Sequence, residues 1–211
     1  MKDSINKFII KITRRLSKAG QPVSWQAQKK NAKYKVALVE PVAAQLGCGS
    51  VLDIGCNAGE TTRLLGKGMF AVGVDIKIDV RGFDEPFAGA CLGEIEVTQE
   101  TLRSMPQFDA VCLFSVHHQW YHDGGKEHCE DLTRAVAGKA KKVLFVEFAA
   151  TNKKYQKAGP ALFVDNDEDS IKAYATDWLK QLLPSHEIRY LGKTYEMTGE
   201  PYRYMFACQM Q

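Results

Sequence analysis

The residues with the clearest chemical potential lie in one stretch, from Ser50 to Ile76, in which a glycine turn separates two acids. An apolar run contains Asp53, the turn reads GCNAG over residues 55–59, and a second apolar run ends at Asp75. Short apolar runs of this kind are typical of buried parallel strands. The stretch therefore predicts a strand, a tight turn, a helix and a second strand ending in an acid, which is one half of a nucleotide-binding α/β unit.

The residue types of this turn favour one kind of ligand over others. Gly55 and Gly59 allow the backbone to bend sharply and to approach a ligand closely, and Asn57 tolerates a left-handed conformation. Asp75 can accept two hydrogen bonds from a ribose diol. Asp53 would repel a pyrophosphate but suits an ammonium group, and neither G-x-G-x-x-G nor the P-loop pattern is present. A nucleotide-like ligand that carries an ammonium group is therefore predicted.

Residues 53–59, DIGCNAG, resemble the D/E-x-G-x-G-x-G segment of class I S-adenosylmethionine-dependent methyltransferases, with Asn57 in place of the middle glycine. The resemblance implies S-adenosyl-L-methionine as cofactor and methyl transfer as the reaction. It implies that Asp53 and the turn hold the methionine end and that Asp75 holds the ribose. Glu94, Glu96 or a backbone group would meet the adenine. The predicted cofactor-binding residues are Asp53, Gly55, Cys56, Asn57, Gly59, Asp75, Ile76, Glu96, Ser115 and Val116.

The rest of the chain fits the same fold class, a single doubly wound α/β domain with flanking helices. Further strands are predicted over residues 91–97, 108–114 and 142–148, and helices over 24–46, 98–105, 129–137 and 167–183. Residues 186–197 and 202–210 alternate in the manner of strands and predict an antiparallel C-terminal hairpin. The resemblance, which covers residues 36–211, implies a mostly parallel seven-stranded sheet.

The N-terminal residues form a segment of their own in this reading. Residues 1–22 predict a basic amphipathic helix, and residues 23–211 form the methyltransferase domain. The helix would either pack on the catalytic domain and cap its cleft, or lie on an anionic membrane surface or another acidic partner.

Four histidines fall within twelve residues, and they are candidates for chemistry on the acceptor. They are His117, His118, His122 and His128, in a segment whose first part, residues 115–122, is predicted as a loop at the end of the fourth strand. A histidine could remove the proton of an acceptor hydroxyl, since it titrates near neutral pH. His117 and His118 are the predicted catalytic residues. The alternatives are a metal site, which the spacing does not favour, and histidines that only pack and hydrogen-bond.

Composition limits the other possibilities. The chain has 211 residues, a net charge of +3 and six cysteines without a C-x-x-C pair. These values predict a globular cytoplasmic protein of one domain with reduced thiols. Residues 1–20 leave a peripheral contact with a membrane open as the alternative. The oligomeric state is not predicted.

The function predicted from these observations is O-methylation of a saccharide or another small hydroxylated metabolite, with histidine-assisted proton transfer. An RNA acceptor is the alternative among enzymes, and lysines 29, 30, 33, 35, 139, 141 and 142 are the candidates for a basic surface. A further alternative is a non-catalytic protein of the same fold that docks on a membrane or a partner through residues 1–20.

Overall fold

The structure is a computed structural model, and it describes residues 25–78, 89–149, 168–195 and 201–211. The predicted N-terminal helix over residues 1–22 lies outside the described residues, as does the start of the domain predicted at residue 23. Within the described part of the chain, no helix is long and apolar enough to cross a membrane.

Helices and strands alternate along the chain as the sequence predicts. The described helices are α1 (Trp25–Gln45), α2 (Glu60–Leu65), α3 (Gln99–Ser104), α4 (His117–Ala137) and α5 (Glu168–Leu182). The strands are β1 (Ser50–Ile54), β2 (Phe70–Asp75), β3 (Ala90–Glu94), β4 (Phe108–Phe114), β5 (Ala140–Ala149), β6 (His186–Tyr195) and β7 (Pro201–Met210).

The strands form one seven-stranded sheet in the order β3-β2-β1-β4-β5-β7-β6. The first five strands in that order are parallel to one another, and β7 is antiparallel to both β5 and β6. The predicted fold class, a doubly wound α/β sheet with an antiparallel C-terminal hairpin, is confirmed. The strand order reverses between β1 and β4, so the crevice beyond their carboxyl ends is where an open α/β sheet binds its ligand.

Both faces of the sheet are covered, which explains why the parallel strands are apolar on both sides. On one face, Leu132 of α4 and Trp178 and Leu179 of α5 belong to a buried cluster with side chains of β1, β4 and β5. On the other face, Val36 and Val39 of α1 belong to a second buried cluster. The rigid sheet between these two layers fixes the relative positions of the residues at its carboxyl edge.

Two predicted elements differ from the structure. The third strand ends at Glu94 rather than at residue 97, and Ile95 follows with its N–H donated to the carbonyl of Asp75. The loop predicted over residues 115–122 is wrong from His117 onward, because α4 begins there. The second part of α4 agrees with the helix predicted over residues 129–137, but its first part was missed because Gly124 and Gly125 interrupt the pattern. Gly125 has a non-helical φ of 81° that kinks the helix.

Candidate active site

A cavity of about 700 Å³ opens at the carboxyl edge of the sheet. This volume falls in the range of small-molecule sites. Nine of the ten predicted cofactor-binding residues line it, namely Asp53, Gly55, Cys56, Asn57, Asp75, Ile76, Glu96, Ser115 and Val116. The structure therefore brings these residues together around one space, while their contact with a cofactor stays a prediction.

The turn after β1 adopts a left-handed backbone at the three positions that the sequence singled out. The φ angles are 73° at Gly55, 53° at Asn57 and 83° at Gly59. The backbone N–H of Asn57 donates to the Asp75 carboxylate at 2.8 Å, and the N–H of Gly55 donates to the carbonyl of Val74 at 2.8 Å. These two contacts tie the turn to the end of β2, so its shape does not depend on a ligand.

Gly55 and Gly59 leave no room for a larger side chain, for different reasons. A Cβ atom on Gly55 would lie 2.1 Å from Cγ2 of Val116. A Cβ atom on Gly59 would lie 2.6 Å from a methyl group of Leu92 on β3. Gly59 does not line the cavity, and it serves instead as the N-cap of α2, packed against β3.

We expect the Gly55→Ala substitution to damage both folding and binding. It should lower the free energy of unfolding by about 1–2 kcal/mol from the left-handed backbone alone, with a further loss from the clash with Val116. Cofactor affinity should fall at least ~10-fold, because the displaced turn lines the cavity. Gly68→Ala is the matched control, since its Cβ would meet nothing within 4 Å. Chemical denaturation and calorimetry measure both effects, and equal behaviour of the two variants would contradict the expectation.

Asp53 is buried beneath the turn, with 1% of its surface exposed. Thr62 on α2 donates a hydrogen bond to its carboxylate at 2.6 Å. Burial raises the pKa of Asp53 to about 6, against the lowering effects of Thr62 and Lys35. A carboxylate desolvated in this way is stabilised by a cation placed beside it. This is the arrangement expected for a group that receives an ammonium.

The two glutamates that are candidates for contact with the adenine differ in their position relative to the cavity. Glu94, at the end of β3, accepts a hydrogen bond from the N–H of Ile78 at 3.0 Å and is not among the lining residues. Glu96 lines the cavity, and so does Ile76, which is 63% exposed. Thr98 and Gln99 follow at the start of α3. Among the described residues, Glu96 is thus better placed than Glu94 to meet a ligand.

On the other side of the cavity, a charged network is buried around Glu147 of β5, which has no exposed surface. Ser115 donates to its Oε2 at 2.8 Å, Thr194 donates to its Oε1 at 2.7 Å, and the Nζ of Lys35 lies 3.0 Å from Oε2. A guanidinium nitrogen of Arg203 lies 3.8 Å from the same oxygen. Lys35, Ser115 and Arg203 line the cavity. We call these five residues the Glu147 network.

The network keeps its central carboxylate ionised. Burial by itself would raise the pKa of Glu147, but Lys35, Arg203 and the hydroxyls of Thr194 and Ser115 together lower that pKa to about 2. Sequence reasoning missed Lys35, Thr194 and Arg203 as site residues. The one signal was a glutamate near the end of an otherwise apolar strand, since a buried charge requires a partner.

No protein-family model matches this sequence, and no curated protein matches it by sequence. Solved structures do match. The bifunctional kinase-methyltransferase WbdD superposes with a TM-score of 0.61 and 19% identity, over 84% of this chain and 39% of that chain. The magnesium protoporphyrin IX methyltransferase ChlM from Synechocystis PCC 6803, with bound SAH, gives 0.57 and 17%, over 99% of this chain and 97% of that one.

The methyltransferase domain of a bacterial Hen1 gives a TM-score of 0.56 and 14% identity, over 83% of this chain and 97% of that chain. All three are methyltransferases or contain a methyltransferase domain. The chain has the class I methyltransferase fold. It spans well under half of the WbdD chain, so the match to that protein concerns one part of it.

Within this fold, the two predicted catalytic histidines lie away from the cavity lining. His117 and His118 are each 2% exposed in the first turn of α4, and neither lines the cavity. The His117 ring packs 4.5 Å from the ring of Phe148 and 5.5 Å from that of Trp178. Burial lowers the pKa of His117 to about 4. Their catalytic role stays a prediction.

The other two histidines of the cluster are on the surface of α4. His122 lies 3.1 Å from Asp123 and does not line the cavity, whereas His128 and Asp123 do. Among the described residues, no group of three or more histidine, cysteine or acidic side chains is arranged to hold a metal ion.

Several lysines proposed for a basic surface have internal partners. Lys35 belongs to the buried Glu147 network. Lys139 donates to the carbonyl of Met105 at 2.8 Å, and Lys142 donates to that of Gly47 at 2.7 Å. These three side chains support the fold, so the RNA alternative gains nothing from them.

Proposed function

We propose that this chain is an S-adenosylmethionine-dependent methyltransferase that methylates a hydroxyl group of a small acceptor. The observation that carries the proposal is the cradle formed by the left-handed turn, the buried Asp53 carboxylate and the Asp75 carboxylate around one cavity. Methyltransferases with the same fold, one of them with bound SAM, support it.

The residues present fit the cofactor at both of its polar ends. Asp53 and the Gly55 turn would receive the ammonium of the methionine part, and Asp75 would accept hydrogen bonds from the ribose. Glu96 would lie at the adenine side. When bound, the cofactor supplies an electrophilic methyl group on a sulfonium. The chain contributes by positioning the two reactants in line and by excluding water, which are large terms in reactions of this type.

When the substrate hydroxyl is methylated it loses its proton, and a side chain of the protein must take up that proton as a general base. His117 and His118 are the candidates from the sequence, and His128 is the one histidine among the described lining residues. We expect His128→Gln to lower kcat by on the order of 10²-fold or more, as loss of a general base does. His117→Gln and His118→Gln should mainly lower stability. Loss of kcat without loss of stability in either of the latter would assign the base to that residue instead.

Cofactor affinity is expected to depend on pH through Asp53. The ammonium group of the ligand binds the ionised carboxylate, and the pKa of this carboxyl group is raised to about 6 in the folded protein. Affinity should therefore be constant above about pH 7 and fall toward ~10-fold per pH unit below pH 6. Calorimetry with S-adenosylhomocysteine between pH 5 and 8 measures this. The Asp53→Asn variant should bind weakly at every pH. If its affinity still falls below pH 6 as in the wild type, a group other than Asp53 causes the pH dependence.

The function is tested by two measurements on the whole chain. Calorimetry with S-adenosylmethionine should show micromolar binding, and release of S-adenosylhomocysteine over a panel of hydroxylated acceptors should show turnover. Binding without turnover on any acceptor would favour the non-catalytic alternative. Failure to bind S-adenosylmethionine would refute the proposal.

A further inference from the structure

Most acidic side chains that line the cavity lie at one half of the sheet, and the basic side chains lie at the other half. The acids Asp53, Asp75 and Glu96 lie at the ends of β1, β2 and just after β3, which form one half of the sheet. Lys35 and Arg203 are the only lysine and arginine among the described lining residues, and both lie at Glu147 in the other half. Two further acids belong to the described lining. Glu60 pairs with Arg63, and Asp123 lies on α4.

This separation matches two ligands of different charge. The acidic half suits S-adenosylmethionine, whose sulfonium and ammonium outnumber its single carboxylate. The other half has two cations around one carboxylate within the Glu147 network. An anionic molecule beside the cofactor would face the cationic half, and its approach would be favoured by that field.

Arg203 is built into the cavity wall in a fixed position. It lies on β7, paired in register with Ala149 of β5 and Thr194 of β6, and its side chain is 13% exposed. Its 3.8 Å contact with Glu147 orients the guanidinium from one side. A guanidinium has five N–H donors, so it can keep an internal partner and still bind a carboxylate or phosphate in bidentate fashion.

Asn31 supplies a second, independent sign of a ligand at this end. It lies one helical turn before Lys35 on α1, so both side chains are on the same face, and both line the cavity. In the described part of the chain, its side-chain oxygen is buried without a hydrogen-bond partner. Buried polar atoms without a partner also occur away from the cavity among the described residues, as at both ring nitrogens of His117, but the Asn31 oxygen belongs to a lining residue, where a bound molecule can reach it. A hydroxyl group of an acceptor would donate to it.

We propose that Arg203, held by Glu147 beside Lys35, binds a carboxylate or phosphate of the methyl acceptor, so that the substrate is an anionic, hydroxylated small molecule. The proposal rests on the proposed function, because the cofactor is taken to fill the acidic half. The Glu147 network would then position the acceptor, and Asn31 would receive one of its hydroxyls.

The test uses two anions as probes, inorganic phosphate and acetate, added to the protein saturated with S-adenosylhomocysteine. The cofactor product carries its own carboxylate, so any anion that binds occupies a second site. Binding is followed by ³¹P and ¹³C NMR at constant ionic strength in a zwitterionic buffer. The stronger of the two probes tells whether the acceptor carries a phosphate or a carboxylate.

Three variants make the assignment specific. Arg203→Met should weaken anion binding at least ~10-fold, whereas Arg203→Lys, which keeps the charge but loses the bidentate geometry, should weaken it less than Arg203→Met does. Arg134→Met, on the exposed surface of α4, should change nothing. Absence of saturable binding by the wild type, or equal binding by Arg203→Met, would overturn the proposal. Loss of S-adenosylhomocysteine affinity in Arg203→Met would also overturn the proposal, because Arg203 would then bind the carboxylate of the cofactor and not an anionic group of the methyl acceptor.

Failure of the proposed function gives a different result. In that case the wild type does not bind S-adenosylhomocysteine at all, whatever the anions do. Retained S-adenosylhomocysteine binding with no anion site refutes only the acceptor class.

Discussion

Replacing Asp75 with alanine is expected to remove nearly all measurable affinity for S-adenosylmethionine. The carboxylate stands at the end of β2 and lines the cavity, where it can accept both hydroxyls of a ribose. Hydrogen bonds to a charged group contribute about 1.5–3 kcal/mol each, so losing two predicts a rise in Kd of at least ~100-fold. Calorimetric titration of the purified variant measures the change.

A second contribution adds to this effect. The Asp75 carboxylate also accepts the backbone N–H of Asn57 at 2.8 Å, and this bond helps to hold the left-handed turn. Asp75→Asn retains an acceptor for that N–H but loses the charge, so it should lie between the wild type and the alanine variant. Asp131→Ala, an exposed carboxylate paired with Arg134 on α4, is the control. Unchanged affinity in Asp75→Ala would remove the ribose assignment and with it the basis for the proposed cofactor.

The turn and its two acids could be predicted because the features that decide them are local. Gly55 and Gly59 take left-handed angles that their residue types make easy, and Asp75 ends a strand that the apolar run defines. Parallel strands bring their carboxyl ends to the same edge of the sheet, so the fold class alone places Ser115 beside the turn. The sequence therefore predicts the cavity-lining residues of the turn and of the ends of β1 and β2 better than any other part of the site.

The Glu147 network could not be predicted because it is assembled from distant parts of the chain. Ser115 and Lys35 are 80 residues apart, and Thr194 and Glu147 are 47 apart. No spacing rule connects such residues, and a lysine in a basic run on a helix, as at residues 29–35, is ordinarily a solvated side chain. The positions of His117 and His118 were not predictable for a related reason, because helix α4 begins at His117 and the His117 ring packs against Phe148 and Trp178. Their catalytic role stays a prediction.

The Glu147→Gln substitution is expected to be the most destabilising single polar change in the described core. Lys35 and Arg203 would keep their charges at a buried position without a carboxylate between them. Removing one member of a buried ion pair costs about 3–5 kcal/mol, and the amide has nearly the same volume, so no cavity contributes. Chemical denaturation at pH 7 should show this loss, while Glu187→Gln, on the exposed side of β6, should show almost none.

The pH dependence identifies the cause of that loss. The folded pKa of Glu147 is lowered from 4.5 to about 2, so its contribution is complete above pH 4.5 and disappears as pH falls toward 2. A shift of this size corresponds to about 3 kcal/mol, and the difference between wild type and Glu147→Gln should shrink by that amount over this range. The triple variant Lys35→Met/Glu147→Leu/Arg203→Met should recover part of the lost stability, because it removes both cations along with the carboxylate and well-packed apolar residues can replace a buried ion pair. A constant difference at all pH values, with no recovery in the triple variant, would mean that shape rather than charge determines the effect.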